Sequence, residues 1–164
     1  MKKYKKIIIG IMIAVIIPIA AYTAGPLFFD VTVDEPIPEI TSTITTTEGV
    51  TTSTIPEPQL LASGQFVGVN DGIHNAEGQA KVLQLVDGKQ ILRLEDFKAT
   101  NGPDLYVYLA TDSTAQEYVS LGELKANIGN QNYEIPQGTD LSKYHTALVW
   151  CKEFSVLFGS AKIT

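Results

Sequence analysis

The chain has 164 residues, enough for one ordinary domain with chain to spare. Its net charge is −6, and four of its twelve basic residues sit at the extreme N-terminus, so the eighteen acids that follow meet only eight bases, a net −10. That sign argues against nucleic acid as a partner and against anionic lipid surfaces. The single cysteine, Cys151, excludes an internal disulfide, so the fold must rest on its packing.

In chain order, Met1-Lys-Lys-Tyr-Lys-Lys6 precedes an uncharged apolar run, Ile7–Ala24, that continues to Phe29 with interruptions at Pro18, Tyr22, Thr23 and Gly25. A run of this length can cross a hydrocarbon core of ~30 Å as a helix. The lysines ahead of it hold that end in the cytoplasm and send the remainder out. Cleavage as a signal peptide is the rival reading, but a cut after Ala24 would put bulky Tyr22 at the −3 position. Residues 1–25 are therefore read as an uncleaved, single-pass anchor in the cell membrane, with the rest extracytoplasmic.

Residues 26–59 read as a disordered linker. Thr41–Thr54, TSTITTTEGVTTST, is almost entirely hydroxyl-bearing, and Pro36, Pro38, Pro56 and Pro58 flank it. Such a composition buries too little apolar surface to offset chain entropy. Clustered hydroxyls could accept O-linked sugars; no Asn-x-Ser/Thr sequon is present.

From Leu60 to Thr164 short apolar runs alternate with turn signals. Leu60–Val69 is a predicted strand ended by Asn70-Asp71-Gly72. Ala80–Val86 and Lys89–Glu95 flank Asp87-Gly88, a two-residue hairpin signal. That register would put Leu83 and Leu85 on one face with Leu92 and Leu94, and Arg93, Lys89 and Gln84 on a wet face. Asp104–Thr111 is a strand with Leu105, Val107 and Leu109 inward and Tyr106 and Tyr108 on the second face. Leu121–Asn130 reads as a looped connection, Gln131–Ile135 as a short strand, and Asp140–Tyr144 as a brief turn opened by a capping side chain.

The last stretch, His145–Phe158, carries Trp150 beside Cys151. Both alternating sets, Thr146/Leu148/Trp150 and Ala147/Val149/Cys151, are largely apolar, which suits a strand packed on two sides before a corner near Lys152. About eight short strands with almost no helix predict a compact antiparallel β-sandwich or barrel over 60–164.

No phosphate loop, nucleophile elbow or paired-cysteine metal motif occurs. The scarce chemical groups are Cys151, His74 and His145. A lone strand cysteine is usually a small buried hydrophobe, and lone histidines are usually solvated. Together the three could make a two-histidine, one-thiolate copper site, although no methionine outside the N-terminal run is available as an axial ligand.

The blocks Phe66, His74, Gly78, Leu92-Arg-Leu-Glu-Asp96-Phe97, Asn101-Gly-Pro-Asp-Leu-Tyr-Val-Tyr-Leu109, Leu121-Gly-Glu-Leu-Lys-Ala-Asn127, Gly129-Asn-Gln-Asn-Tyr-Glu-Ile-Pro136 and Val149-Trp-Cys151 resemble, in that order, the DM-thirteen domain. The family accompanies DOMON and Reeler domains at animal cell surfaces and occurs in membrane-tethered microbial proteins. Ala126 stands where the family commonly has glycine. The resemblance implies extracellular electron transfer, with Cys151 as a redox thiol or as a ligand to a prosthetic group, and with His74 as the family's histidine after the first strand. The prosthetic group so implied is one such as haem, copper being a reading of the three residues alone, and the partners would be redox proteins at the cell surface. A non-catalytic adhesion or assembly module, with Cys151 as core only, is the alternative.

Overall fold

A computed structural model describes residues 14–15, 29–38 and 57–164. Among them are nine strands: β1 Thr32–Asp34, β2 Gln59–Gly68, β3 Ala76–Gln84, β4 Gln90–Ala99, β5 Leu105–Ala110, β6 Tyr118–Glu123, β7 Ile128–Ile135, β8 Thr146–Cys151 and β9 Val156–Lys162. They form one curled half-barrel sheet in the order β1-β7-β4-β3-β2-β9-β8-β5-β6. Every neighbouring pair is antiparallel except β1–β7, which is parallel. No helix among the described residues is long and apolar enough to cross a membrane. The apolar run of the anchor, apart from Ala14, Val15 and Phe29, and the Thr-rich stretch 41–54 lie outside the described residues.

The concave face closes on one core. Val82, Leu92, Leu94, Phe97, Val107, Leu109, Ala147, Val149 and Cys151 are almost fully buried there. Tyr108, Ala110 and Leu148 form a separate cluster on the outer face, with Tyr106, Trp150 and Leu157 packed against it. β8 is thus apolar on both sides because it is covered on both sides, as its sequence predicts.

The hairpin between β3 and β4 corrects the expected register. Gln84 pairs with Gln90, Leu83 with Ile91 and Val82 with Leu92. The connection is a three-residue loop rather than the two-residue turn expected. Gly88 N–H donates to Leu85 C=O at 2.9 Å, Leu85 N–H donates to Lys89 C=O at 2.8 Å, and Gly88 takes a left-handed φ of +84°. A tight turn followed by a left-handed glycine is the usual form of such a loop. One extra residue shifts the register by one and exchanges the faces. Leu92 and Leu94 therefore join the main core with Ala80 and Val82, while Leu83 and Leu85 pack with Ile91 in a small outer cluster.

Two further differences concern strands read as loop. Tyr118–Glu123 pairs with β5, with Gly122 at a φ of +118° where the β5–β6 register shifts. That irregularity explains why the stretch lacks a clean alternation. Thr32–Asp34 lies within the stretch read as linker, yet it pairs with Ile128–Asn130. The chain just beyond it meets Arg93, which was expected on a wet face and is only 5% exposed. The guanidinium donates to Glu35 C=O and to Asn132 Oδ1, both at 2.9 Å. A Cβ on Gly129 would fall 1.9 Å from the Val33 carbonyl oxygen, so only glycine lets this strand approach.

The corrected register sets unequal costs for two similar leucines. Leu92→Ala should lose about 2–5 kcal/mol of stability in urea unfolding, the usual range for a fully enclosed leucine. Leu83→Ala, in its three-residue cluster, should lose clearly less.

Candidate functional site

Cys151 is the last residue of β8, opposite Leu105 on β5 and Val156 on β9. Its residue is 1% exposed and belongs to the main core. The thiol donates to the Pro103 carbonyl oxygen at 3.1 Å, in the β4–β5 turn. Next to it, the Lys152 N–H donates to Asp104 C=O at 3.0 Å, fastening the end of β8 to the same turn. Asn101, Gly102, Asp104 and Leu105 from this turn also line an open pocket of about 350 Å³, with Glu123–Asn127 opposite. The thiol therefore rests against a segment whose other residues face a cavity.

Electrostatics around the sulfur are quiet. The Lys152 ammonium sits 4.9 Å above the Tyr106 ring, and Tyr106 belongs to the outer face, so the charge does not serve the sulfur. A thiol needs a cation, a metal or free N–H donors beside it to ionise readily. Here its one hydrogen-bonding partner is a carbonyl oxygen, an acceptor rather than a donor.

His74 lies in the β2–β3 loop. Asp71 organises that loop: its Oδ1 accepts from the Ile73 and His74 N–H groups at 2.9 and 2.7 Å, and its Oδ2 lies 2.7 Å from His74 Nδ1. Asn70 holds a left-handed φ of +55°, and its N–H donates to His74 C=O. The imidazole packs edge-on against Phe158, with ring centroids 4.8 Å apart. Phe158 belongs to the same core as Cys151, so His74 reaches that core through an aromatic ring rather than through a bond to sulfur.

His145 precedes β8 and bonds the Lys143 carbonyl through Nδ1. Cys151 ends the same six-residue strand, and the six residue steps from His145 to Cys151 span about 20 Å, so His145 and the sulfur lie at opposite ends of the sheet. The two-histidine, one-thiolate arrangement is thereby ruled out for these positions, since metal–ligand bonds are only ~2.0–2.3 Å. Among the described residues no three His, Cys, Asp or Glu side chains converge as a metal site. For haem the sulfur offers no open face: it belongs to the packed core, and its hydrogen bond goes to the Pro103 carbonyl.

Sequence reasoning missed the buried polar cluster behind the pocket. Gln131, fully buried, accepts from the Ala126 N–H and the Tyr133 hydroxyl and donates to Ala126 C=O. The Tyr133 oxygen accepts from the Lys125 N–H at 3.0 Å, and burial pushes its hydroxyl well above the ordinary tyrosine range. Asn127 accepts from the Val31 N–H at 2.6 Å and donates to Asp30. The only hint in the sequence is the density of amides from Asn127 to Asn132.

A family model described as "Electron transfer DM13" matches residues 65–163 of the chain. No curated protein and no solved structure matches it.

The Asp71 carboxyl is held far below its ordinary value, first by the His74 N–H, then by the His74 ring and the Ile73 N–H. A depressed carboxyl stabilises the fold above the ordinary carboxyl value and loses that contribution as pH falls through its own lower value. In an NMR titration, the Asp71 side-chain carbon should therefore remain in its carboxylate position through pH ~4, where a free aspartate is half-protonated. The Asp71→Asn variant should broaden the amides of Ile73 and His74.

Proposed function

The chain belongs to the electron-transfer DM13 family, and from that premise we propose an extracytoplasmic electron-transfer domain, tethered to the cell membrane by the apolar run 7–24, that works through Cys151 as a bare thiol. The observation that carries the reading is the hydrogen bond from Cys151 Sγ to Pro103 in a pocket-lining turn. At rest the thiol is buried and bonded to the Pro103 carbonyl. When the turn at 101–104 opens, the sulfhydryl loses its proton to water and the thiolate attacks one sulfur of a partner disulfide. A mixed disulfide forms, and the partner's other sulfur leaves as a thiolate. A second thiol of the partner then displaces Cys151, which recovers its proton. Two electrons pass between partner sulfurs, and the domain returns unchanged.

Neither copper nor haem takes part in this reading, because the sulfur as placed does not fit a ligand role. His74 is a loop-fastening residue, bonded to Asp71 and packed on Phe158.

A second reading, the adhesion or assembly module, is favoured by the 1% exposure of Cys151, since a sealed thiol is ordinarily just a core hydrophobe.

Exchange of the full chain, in detergent, with a small aromatic disulfide separates the two. The redox reading expects Cys151 to react without denaturant and faster than global unfolding, and Pro103→Ala to speed the reaction several-fold. His74→Ala should leave the rate nearly unchanged. Reaction at the global unfolding rate, with no response to Pro103→Ala, leaves the adhesion module standing and removes the thiol relay.

A further inference from the structure

The sheet has two distinct ends. At one lie the β2–β3 loop 69–75, the β4–β5 turn 100–104, the β6–β7 connection 124–127 and the β8–β9 tip 152–155; at the other lie 85–89, 111–117 and 136–145. The described chain before β1 arrives at the first end: Asp30 accepts from Asn101 and Asn127, and the Ile128 N–H donates to Val31 C=O. The same end holds Cys151 and its pocket.

The segment Asp30–Pro36 is fastened, not loosely draped. Besides its pairing with β7, the Lys125 ammonium grips both Glu35 oxygens at 2.7 and 2.9 Å, and the Asn132 N–H adds a third bond at 2.7 Å. Asn130 donates to Asp34, and the Asn132 side chain donates to Pro36 C=O. Burial alone would raise the Glu35 carboxyl, but Lys125, the Asn132 N–H and Arg93 together hold it below its ordinary value.

This fastening changes what counts as the tether. With β1 docked, only the residues between Ala24 and Asp30 separate the apolar run from the folded domain, a reach of about 20 Å at full stretch. The Thr-rich stretch then falls in the chain after β1, beyond the docked strand, and does not separate the apolar run from it. The end so held close also carries exposed apolar side chains: Phe29 at 70%, Ile73 at 71%, Phe154 at 66%, with Val31 and Val69. Large apolar groups gather at loop tips of a soluble domain when something covers them.

We propose that this end of the sheet lies on the bilayer surface, with Ile73 and Phe154 in the interfacial layer and the docked strand β1 fixing the orientation. The inference rests on the membrane-tethered part of the proposed function. Asp30, Asp71, Asp104 and Glu153 at the same end oppose anionic headgroups, so the surface it suits is zwitterionic. One consequence is that the pocket and the Cys151 turn face the membrane, so a partner meets them there rather than from bulk solvent.

The test uses the full chain reconstituted in phosphatidylcholine vesicles containing a lipid-borne collisional quencher. Fluorophores go on single cysteines replacing Ile73 or Phe154 at the first end, and Gly88 or Gly138 at the other, in chains that also carry Cys151→Ser, so that each has one thiol. Quenching several-fold stronger at 73 and 154 is expected. Gly129→Val, which blocks β1, should bring the two ends to equal quenching, whereas deleting 41–54 should leave the difference intact. Equal quenching in the chain that keeps Gly129, with the protein retained in alkali-washed vesicles, overturns the orientation alone. Release of the protein by alkali overturns the tethered reading and the orientation with it. Neither outcome touches the thiol chemistry, which is read separately in detergent.

Discussion

The hydrogen bond from Cys151 to the Pro103 carbonyl is the constraint on which the proposed thiol chemistry depends. It places the only thiol of the chain at the end of a doubly covered strand, under a turn, with an acceptor rather than a donor for company. Such a sulfur is sealed from solvent while the turn is closed. Any redox traffic through it must begin with local opening, whose free energy is smaller than that of global unfolding. The neighbouring bond from Lys152 to Asp104 makes the end of β8 and this turn one mechanical unit.

The second organising feature is the strand that comes before the domain proper. β1 contributes little apolar burial; it is held by backbone pairing, by the Lys125–Glu35 contact and by the amides of Asn127, Asn130 and Asn132. Arg93, buried beside it, bonds the Glu35 carbonyl just beyond β1 as well as Asn132 and Glu95. The thiol's position and the arrival of the described chain before β1 therefore share one end of the sheet.

Much of this was legible in the residues. The all-β class, the two-sided packing of Ala147–Cys151 and the inward row Leu105, Val107 and Leu109 follow from alternation alone. So does the placement of Lys152 away from the sulfur. Three things were not legible, for separate reasons. The β3–β4 register turned on one extra loop residue, which Asp87-Gly88 does not reveal because a left-handed glycine serves both loop types. β6 is interrupted by Gly122 at its bulge, so its pattern breaks where it pairs. β1 is three residues long and owes its stability to partners about 96 residues away, which no local pattern reports. At the site, the nearness of Pro103 to Cys151 was invisible because 48 residues separate them.

Amide hydrogen exchange measures the central claim most directly, by comparing Lys152, bonded to the turn, with Val149 in the middle of β8. Local opening at the turn requires Lys152 to exchange well before Val149, at a rate that hardly changes with added urea. If Lys152 and Val149 exchange together, with the full urea dependence of global unfolding, the turn does not open on its own and Cys151 is core alone.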